Sequence, residues 1–402
     1  MGSPATVLVI GDGVVGTGFA RIIHGIFRRL PKDAYIVHHL AVNYKGDPHD
    51  LPWKVYTACS GGDVYGINRV RELVEKVRPD LVFCLNDVWV LREYLRPLKE
   101  FAQKMRIVFY YSIDAGPVDP EWLEDSELVH RKVVFTSLAR RELEEVLPGG
   151  EAVQVIPPGL DTQAFYPLLD EAGFCGTIAS KRKLKVFKDD ELEDSFIVLN
   201  ANRNQPRKRL DITIKGFALF AKDKPKNVKL YLHTGFEEFG WNILKLARRY
   251  CVEDRLICTQ NANGIPGVPD EAMNLVYNAC DVGVNTAIME GWGLPSCEHA
   301  ATRKAQIVPR VTACAEIWEG CAEFLEPVTD YVQERTLSDG KLVTPESLAE
   351  ALEGLYSNPS HRKRVAEACH ARVTRPELSW QVVAQNWHRV FLEELEVFGS
   401  IT

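Results

Sequence analysis

Short apolar runs alternate with longer amphipathic stretches along most of this 402-residue chain. Apolar runs of about 4–8 residues are typical of buried strands, whereas apolar residues spaced three and four apart indicate helices. Their alternation indicates βα units and parallel sheets, so the predicted fold class is α/β. One series of strands is predicted at 6–10, 34–40, 81–85, 106–111, 132–136 and 152–156. A second series is predicted at 195–200, 228–233, 256–259, 282–285, 305–309 and 322–325.

The two series of strands are separated by a segment typical of a connection. Residues 157–194 begin with Pro-Pro-Gly and end in a run of charges. We predict an N-terminal domain over 1–185 and a second domain over 186–375. Residues 376–402 carry a helical pattern with a one-sided apolar stripe, which must pack on another surface. We expect this last helix to pack back on the N-terminal domain.

Composition limits the classes of function. Apolar residues make up 46% of the chain and charged residues 26%, as in ordinary globular enzymes, and no apolar run approaches the roughly 18 residues that span a bilayer. The net charge of -7 argues against a general nucleic-acid binder. The ten cysteines form no Cys-x-x-Cys pair, which favours reduced thiols over disulfides or a zinc site. The first residues lack the pattern of a secretory signal, and we expect a cytoplasmic protein.

A glycine-rich loop follows the first predicted strand. Gly11, Gly13 and Gly16 satisfy G-x-G-x-x-G, in which glycines let backbone amides approach a ligand at the start of the next helix. A dinucleotide site also needs an acidic residue about twenty positions on, where the second strand ends. That strand runs to Asn43 without a carboxylate. Gly13 and Gly16 are therefore candidates for contact with a phosphate or a sugar; the alternative is a tight turn that only packs the helix on the sheet.

A basic loop follows the first strand of the second series. Such loops lie at the carboxyl ends of the strands, where open α/β sheets bind ligands. Arg203 and Lys208 could converge there on one diphosphate, because charge-assisted hydrogen bonds to phosphate are strong. We expect alanine variants of the neighbouring Arg207 and Arg209 to retain most activity. The alternative is a loop whose basic side chains all face water.

The most specific motif is EGWGLPSCE, which runs from Glu290 to Glu298 after the predicted strand 282–285. Pro295 suits the first position of a helix, where the amides near Leu294 and Ser296 would be free to bind an anion. Glu298, one turn into that helix, could accept hydrogen bonds from both hydroxyls of a ribose. Glu290 could accept from sugar hydroxyls. The alternative for Glu298 is ordinary stabilisation of the first turn of a helix.

These motifs together resemble the retaining glycosyltransferases of family 4, also described as glycosyl transferases group 1. The two glutamates with Gly-x-Gly-Leu-Pro between them are similar to the family signature. Arg203 and Lys208 are similar to its basic pair, and residues 155–167 to its interdomain segment. The resemblance implies the GT-B fold, with two facing Rossmann-like domains, parallel sheets and a central cleft.

The resemblance also implies a reaction, the transfer of a hexose-type sugar from a nucleotide-sugar donor to a glycan, lipid-linked or small-molecule acceptor. It implies that Glu298 binds the donor ribose and Glu290 the donor sugar. It implies that Arg203 and Lys208 bind the diphosphate, together with the backbone of the Gly293, Leu294, Pro295 and Ser296 turn.

Two further expectations concern the acceptor side and cofactors. Many family members carry a histidine at the end of the fourth N-terminal strand, and here Asp114 is the candidate for that space. No cofactor and no metal are expected, because the chain contains no Asp-x-Asp and the cationic residues could take the place of a divalent ion. Three other functions stay open: a GT-B sugar-nucleotide epimerase, an NAD-dependent Rossmann enzyme, and a non-catalytic sugar or nucleotide binder.

Overall fold

The computed structural model describes residues 3–59, 61–148, 152–170, 176–185, 192, 195–236, 238–259 and 267–401. Contacts between residues divide the chain into two compact units. The first unit is Met1–Gly159 with Pro376–Thr402, and the second is Leu160–Arg375. Each unit contains one parallel sheet with helices, which is the predicted α/β class.

The strands of the two units follow one another in chain order. They are β1 (Ala5–Asp12), β2 (Tyr35–Val42), β3 (Lys54–Thr57), β4 (Leu81–Asp87), β5 (Arg106–Ser112), β6 (Arg131–Val134), β7 (Gln154–Val155), β8 (Phe196–Asn200), β9 (Val228–Leu232), β10 (Leu256–Cys258), β11 (Val282–Val284), β12 (Ala305–Pro309), β13 (Glu323–Leu325), β14 (Thr329–Val332) and β15 (Asp339–Leu342).

The helices alternate with the strands in both units. They are α1 (Gly18–Phe27), α2 (Ile67–Val77), α3 (Val88–Leu98), α4 (Ser137–Glu144), α5 (Thr177–Leu184), α6 (Leu210–Ala221), α7 (Ile243–Arg249), α8 (Asp270–Ala279), α9 (Leu294–Ala301), α10 (Thr312–Trp318), α11 (Pro345–Ser357), α12 (Pro359–Val373) and α13 (Trp380–Ile401). Among the residues that the structure describes, no helix is long and apolar enough to cross a membrane.

The sheet of the first unit has seven parallel strands in the order β3-β2-β1-β4-β5-β6-β7. Six of them coincide with predicted strands. The seventh, β3, was missed because it is short and none of its four side chains is buried, so it lacks the apolar signal of a core strand.

Helix α13 packs on the first unit. Its buried stripe includes Trp387 and Phe391, and Phe391 contacts Phe27 of α1 with ring centroids 5.9 Å apart. Gly25 of α1 permits close packing, since a Cβ there would lie 2.5 Å from the ring of Trp380. The stripe read from the sequence is thus the face that packs on the sheet and α1.

The sheet of the second unit has six parallel strands in the order β10-β9-β8-β11-β12-β13. All six correspond to predicted strands. The antiparallel pair β14–β15 was not predicted, because its side chains are mostly exposed. In both sheets the strand order reverses direction beside the first strand of the unit, and open α/β sheets bind ligands at such a switch point.

The N-terminal part of the first unit ends at Gly159, not at residue 185 as the sequence predicts. The second unit begins at Leu160. Lys181 of α5, for example, is fully buried, and its ammonium lies 2.8 Å from the Asp281 carboxylate. The proline-rich opening of this segment and its charges suggested a solvated connection, but a buried ion pair attaches it to the second unit.

Candidate functional site

Two loops meet at the carboxyl ends of β8 and β11 in the second unit. The loop after β8 leads to α6, and the loop after β11 leads to α9. The Ile288 amide of the second loop donates to the Arg207 carbonyl of the first at 2.9 Å. The Thr286 hydroxyl donates to the Lys208 carbonyl at 3.1 Å. These bonds fix the two predicted ligand-binding loops against each other.

Glu290 lies at the centre of this junction and is only 3% exposed. Its Oε1 accepts from the Lys208 ammonium at 2.5 Å and from the Asn285 amide at 3.0 Å. Its Oε2 lies 3.5 Å from the guanidinium of Arg207. The structure therefore brings together two of the predicted residues, Glu290 and Lys208, and adds two that were not predicted to take part.

The Glu290 cluster, formed by Glu290, Lys208, Arg207 and Asn285, carries two cations on one carboxylate. Burial alone would raise the pKa of Glu290, but the charges of Lys208 and Arg207 outweigh it and hold that pKa below its ordinary value. Glu290 is therefore ionised at neutral pH, and the cluster has a net positive charge. A buried cluster of this sign favours an anionic ligand.

The backbone at Glu290 is fixed by Thr312, at the start of α10. The Glu290 amide donates to the Thr312 hydroxyl at 2.9 Å, and that hydroxyl lies 3.0 Å from the Glu290 carbonyl. Thr312 has φ 35°, which is unusual for a β-branched residue. Such strain persists only where the surroundings enforce it, and it concentrates at functional sites.

The turn before α9 is formed as the motif predicts, with one difference. Gly293 has φ 87°, a conformation that favours glycine, and Pro295 lies in the first turn of the helix. The Ser296 amide, however, donates to the Gly293 carbonyl at 3.1 Å. The Ser296 amide therefore already has a hydrogen-bond acceptor. The other amide predicted to bind an anion is that of Leu294, the first residue of α9.

Glu298 of α9 is 5% exposed, and its Oε2 accepts from the Tyr277 hydroxyl at 2.8 Å. Tyr277 also stacks on His299, with ring centroids 5.5 Å apart. The Tyr277 hydroxyl thus helps to hold the Glu298 carboxylate in one orientation. Binding of a donor ribose by Glu298 stays a prediction.

Arg203 has a different partner from the one predicted. Its Nε donates to Glu238 Oε1 at 2.7 Å, and its Nη2 contacts the same oxygen. Lys208 pairs with Glu290, so the two basic residues do not share an anion in this structure. Binding of both to one diphosphate stays a prediction.

The sequence did not indicate the contacts of Arg207, whose guanidinium lies 3.5 Å from Glu290 and donates to the Met289 carbonyl. The part of Arg207 in activity stays a prediction. Asn285 could have been found from the sequence, since it follows β11 directly at the ligand-binding edge of the sheet. Tyr277 and Thr312 come from other helices. No spacing in the sequence connects them with Glu298 and Glu290.

The glycine-rich loop of the first unit makes a close approach to β2. A Cβ on Gly13 would lie 2.2 Å from the Ala41 Cβ, and the Gly13 amide donates to the Val42 carbonyl at 3.3 Å. The tight-turn interpretation therefore accounts for Gly13. Gly16 is exposed and has open space around it, so packing does not require glycine there. Contact of either residue with a ligand stays a prediction.

The end of β2 carries no carboxylate for a ribose. Asn43 stands there, and its amide donates to Asp12 Oδ1 at 2.8 Å. The other oxygen of Asp12 accepts from the Thr17 hydroxyl at 2.5 Å. The one acidic side chain of the glycine-rich loop thus holds neighbouring loop residues, which weighs against a nicotinamide site of the usual kind.

Asp114 follows β5 at the carboxyl edge of the first sheet and is half-buried. The adjacent strand β4 ends at Asp87, paired in register with Ser112. The position fits the acceptor-side expectation, and a catalytic role for Asp114 stays a prediction.

The buried His39 beside the glycine-rich loop predicts a loss of stability in acid. Its Nε2 lies 3.2 Å from the Gly11 carbonyl, and burial lowers the pKa of His39 to about 3. Below pH 6.5 this histidine takes up a proton in the unfolded chain but not in the folded chain. The free energy of unfolding therefore falls by about 1.4 kcal/mol for each unit by which the pH is lowered. Urea unfolding at pH 6.5 and pH 5 measures this effect. We expect the free energy of unfolding to fall between these pH values by about 2 kcal/mol less in His39→Gln than in the wild type. An equal fall in the free energy of unfolding of both proteins would show that His39 does not cause the loss of stability in acid.

In the part of the chain that the structure describes, no group of three or more His, Cys, Asp or Glu side chains could hold a metal ion. The expectation of a metal-independent reaction stays a prediction that a chelator can test.

No protein-family model matches this chain, and no curated protein matches it. Solved structures match over nearly its whole length. Sucrose-phosphate synthase from Thermosynechococcus elongatus has a TM-score of 0.73 at 15% identity, covering 97% of this chain and 98% of that one. Anabaena HepE in complex with UDP-glucose has a TM-score of 0.70 at 14% identity, covering 97% and 100%.

A third match is α,α-trehalose 6-phosphate synthase from Burkholderia multivorans, with a TM-score of 0.63 at 14% identity, covering all of both chains. WaaG, a glycosyltransferase of lipopolysaccharide biosynthesis, has a TM-score of 0.69 at 12% identity, covering 96% of this chain and 99% of that one. At such identities the likeness concerns the fold. Two parallel Rossmann-like sheets of seven and six strands, matched over nearly the whole chain by these structures, show that the chain has the GT-B fold of glycosyltransferases.

Proposed function

We propose that the protein is a retaining glycosyltransferase that moves a hexose-type sugar from a nucleotide-sugar donor to a glycan, lipid-linked or small-molecule acceptor. The observation that carries this proposal is the buried, positively charged Glu290 cluster at the loop junction that precedes α9. A departing nucleoside diphosphate develops negative charge, and fixed cations lower the barrier by stabilising it. The fold, shared with a protein solved with UDP-glucose, supports a donor of this class.

The Glu290 cluster can serve both the diphosphate and the sugar. Lys208 is held by Glu290 before any ligand arrives, so its ammonium is already oriented when phosphate oxygens approach. Oε1 of Glu290 accepts from two donors, whereas the Arg207 guanidinium lies 3.5 Å from Oε2. Because a carboxylate oxygen accepts more than one hydrogen bond, Oε2 has capacity for a sugar hydroxyl.

The proposed reaction proceeds on one face of the sugar. The acceptor hydroxyl attacks the anomeric carbon from the side on which the diphosphate leaves, and the bond between that carbon and the phosphate oxygen breaks. The acceptor proton passes to an oxygen of the departing phosphate. The leaving group is stabilised by Lys208, Arg203 and the start of α9. Asp114 is proposed to contact the acceptor.

A donor screen tests the proposal directly. UDP-, GDP- and ADP-linked hexoses are incubated with the protein, with and without mixed glycan and small-molecule acceptors, and products are followed by mass spectrometry. Transfer to an acceptor, with the donor's anomeric configuration kept in NMR spectra, is the expected result. Interconversion of the donor sugar without an acceptor would indicate an epimerase instead, and binding without turnover a non-catalytic binder.

Glu298→Gln is expected to weaken binding of the nucleoside diphosphate about tenfold or more, because a neutral amide loses charge-assisted hydrogen bonds to the ribose. Calorimetry with the nucleoside diphosphate of the preferred donor measures this. Glu350→Gln, on the exposed face of α11, is the matched control and should bind like the wild type. Unchanged affinity of a folded Glu298→Gln protein would remove this residue from the donor site.

Transfer activity is expected to survive a strong chelator. The cations Arg203 and Lys208 together with the start of α9 are proposed to take the role that a divalent ion has in metal-dependent transferases. Initial rates before and after EDTA treatment, with each ion then added back, measure this. Loss of activity that manganese or magnesium restores would refute a metal-free mechanism.

A further inference from the structure

Arg203 is held by a single carboxylate, Glu238. Oε1 of Glu238 accepts from Arg203 Nε at 2.7 Å and also from its Nη2, while Oε2 accepts from the Asn204 amide at 3.1 Å. The Glu238 side chain is 6% exposed, whereas that of Arg203 is 37% exposed. A guanidinium has five N–H donors, so three of those of Arg203 are not used by Glu238.

The loop that carries Glu238 is fixed by the residue after Arg203. Asn204 is fully buried, and its amide nitrogen donates to the Trp241 carbonyl at 2.6 Å and the Gly235 carbonyl at 3.1 Å. Its amide oxygen accepts from the Trp241 backbone at 2.9 Å. Gly240 passes so close that a Cβ there would lie 2.3 Å from this oxygen. Asn204 therefore bonds the backbone at Gly235 and Trp241, on either side of Glu238.

We infer that Glu238 is a positioning residue, which orients the guanidinium of Arg203 toward the diphosphate of the donor. The inference rests on the proposed function, since it concerns the same donor site. A free arginine side chain loses rotamer entropy when a ligand orders it, and this loss weakens binding. The Glu238 carboxylate orders Arg203 through its Nε and Nη2 groups, which lowers the entropy lost on binding. The other N–H groups of the guanidinium remain for phosphate oxygens.

The alternative is that the ion pair between Arg203 and Glu238 only connects two loops and has no part in ligand binding. The two interpretations differ in what happens when Arg203 is already absent. A positioning residue acts through Arg203, so removing Glu238 as well should then have no further effect on catalysis. A residue that only stabilises the loops would add its own loss in either background.

The test combines Glu238→Ala, Arg203→Ala and the double variant. UDP, GDP and ADP are titrated by calorimetry, and the tightest binder is compared with its own nucleoside. We expect Glu238→Ala to lower diphosphate affinity and kcat about tenfold while nucleoside affinity stays unchanged, because Arg203 is proposed to bind the diphosphate and not the nucleoside. In the Arg203→Ala background the same change should alter kcat less than twofold.

Two further variants control for damage to the fold. Glu238→Gln keeps the size of the side chain and one oxygen acceptor, and we expect a smaller loss than with alanine. Asp211→Ala breaks a comparable arginine–carboxylate pair with Arg209, whose Nη2 lies 2.7 Å from Asp211, and should leave diphosphate affinity unchanged.

The outcomes separate this inference from the proposed function. A wild-type protein that transfers sugar, with losses from Glu238→Ala that are equal with and without Arg203, would overturn the positioning role and leave the transferase intact. Equal losses for nucleoside and diphosphate would overturn it as well. A wild-type protein that binds none of the three diphosphates would instead refute the donor site itself.

Discussion

Lys208→Ala is expected to lower kcat by about 100- to 1,000-fold, the largest effect that we predict for a single side chain. The change removes a fixed cation from the position where the leaving group gains charge, and loss of one such group has costs of this order. It also leaves Glu290, 3% exposed, without its ammonium partner. Steady-state kinetics at saturating donor measures the effect, which should exceed any change in KM because the charge matters most in the transition state.

Neighbouring residues of the same charge control for this prediction. Arg209→Ala should keep most activity, because Arg209 pairs with Asp211 and not with Glu290. Arg207→Ala should have an intermediate effect, since its guanidinium lies 3.5 Å from Glu290. Lys208→Met keeps the length of the side chain and should be as inactive as the alanine variant. If folded Lys208→Ala and Arg209→Ala proteins turned over equally well, the Glu290 cluster would be structural only.

Glu394→Ala is expected to destabilise the first unit by about 3–5 kcal/mol, because it breaks a buried ion pair by removing one partner. Glu394 of α13 is 4% exposed, and its Oε2 accepts from the Arg106 guanidinium at 2.6 Å and 2.9 Å. Its Oε1 accepts from Arg131 Nε at 2.9 Å. Urea unfolding followed by tryptophan fluorescence reports on the loss, since Trp387 of the same helix is fully buried.

The adjacent Glu393 is the matched control for Glu394. It also contacts Arg131, at 2.9 Å, but it is 47% exposed, and exposed ion pairs contribute about 0–1 kcal/mol. Glu393→Ala should therefore unfold close to the wild type. Similar unfolding midpoints for the two alanine variants would mean that the apolar stripe of α13 alone attaches it to the first unit.

The local pattern of the sequence was enough to predict most of the fold. Strands such as β1 and β8 are continuous apolar runs because parallel strands are buried on both faces, and this signal needs no information from distant residues. The turn before α9 was equally readable, since Gly293 and Pro295 have narrow backbone preferences that mark a helix start. Strand β3 and the β14–β15 pair were not predicted, because strands with mostly exposed or half-exposed side chains lack a continuous apolar run.

Only the tertiary structure decided how the candidate site is assembled. Arg203 and Lys208 lie five residues apart, yet one pairs with Glu238 and the other with Glu290. Tyr277 reaches Glu298 from a different helix. Side chains from separate loops and helices meet because the parallel sheet of the second unit brings the carboxyl ends of distant strands to one edge. The sequence by itself determined which residues could bind an anion and a sugar, whereas packing decided which partner each one has, because spacing along the chain carries no information about contacts between separate elements.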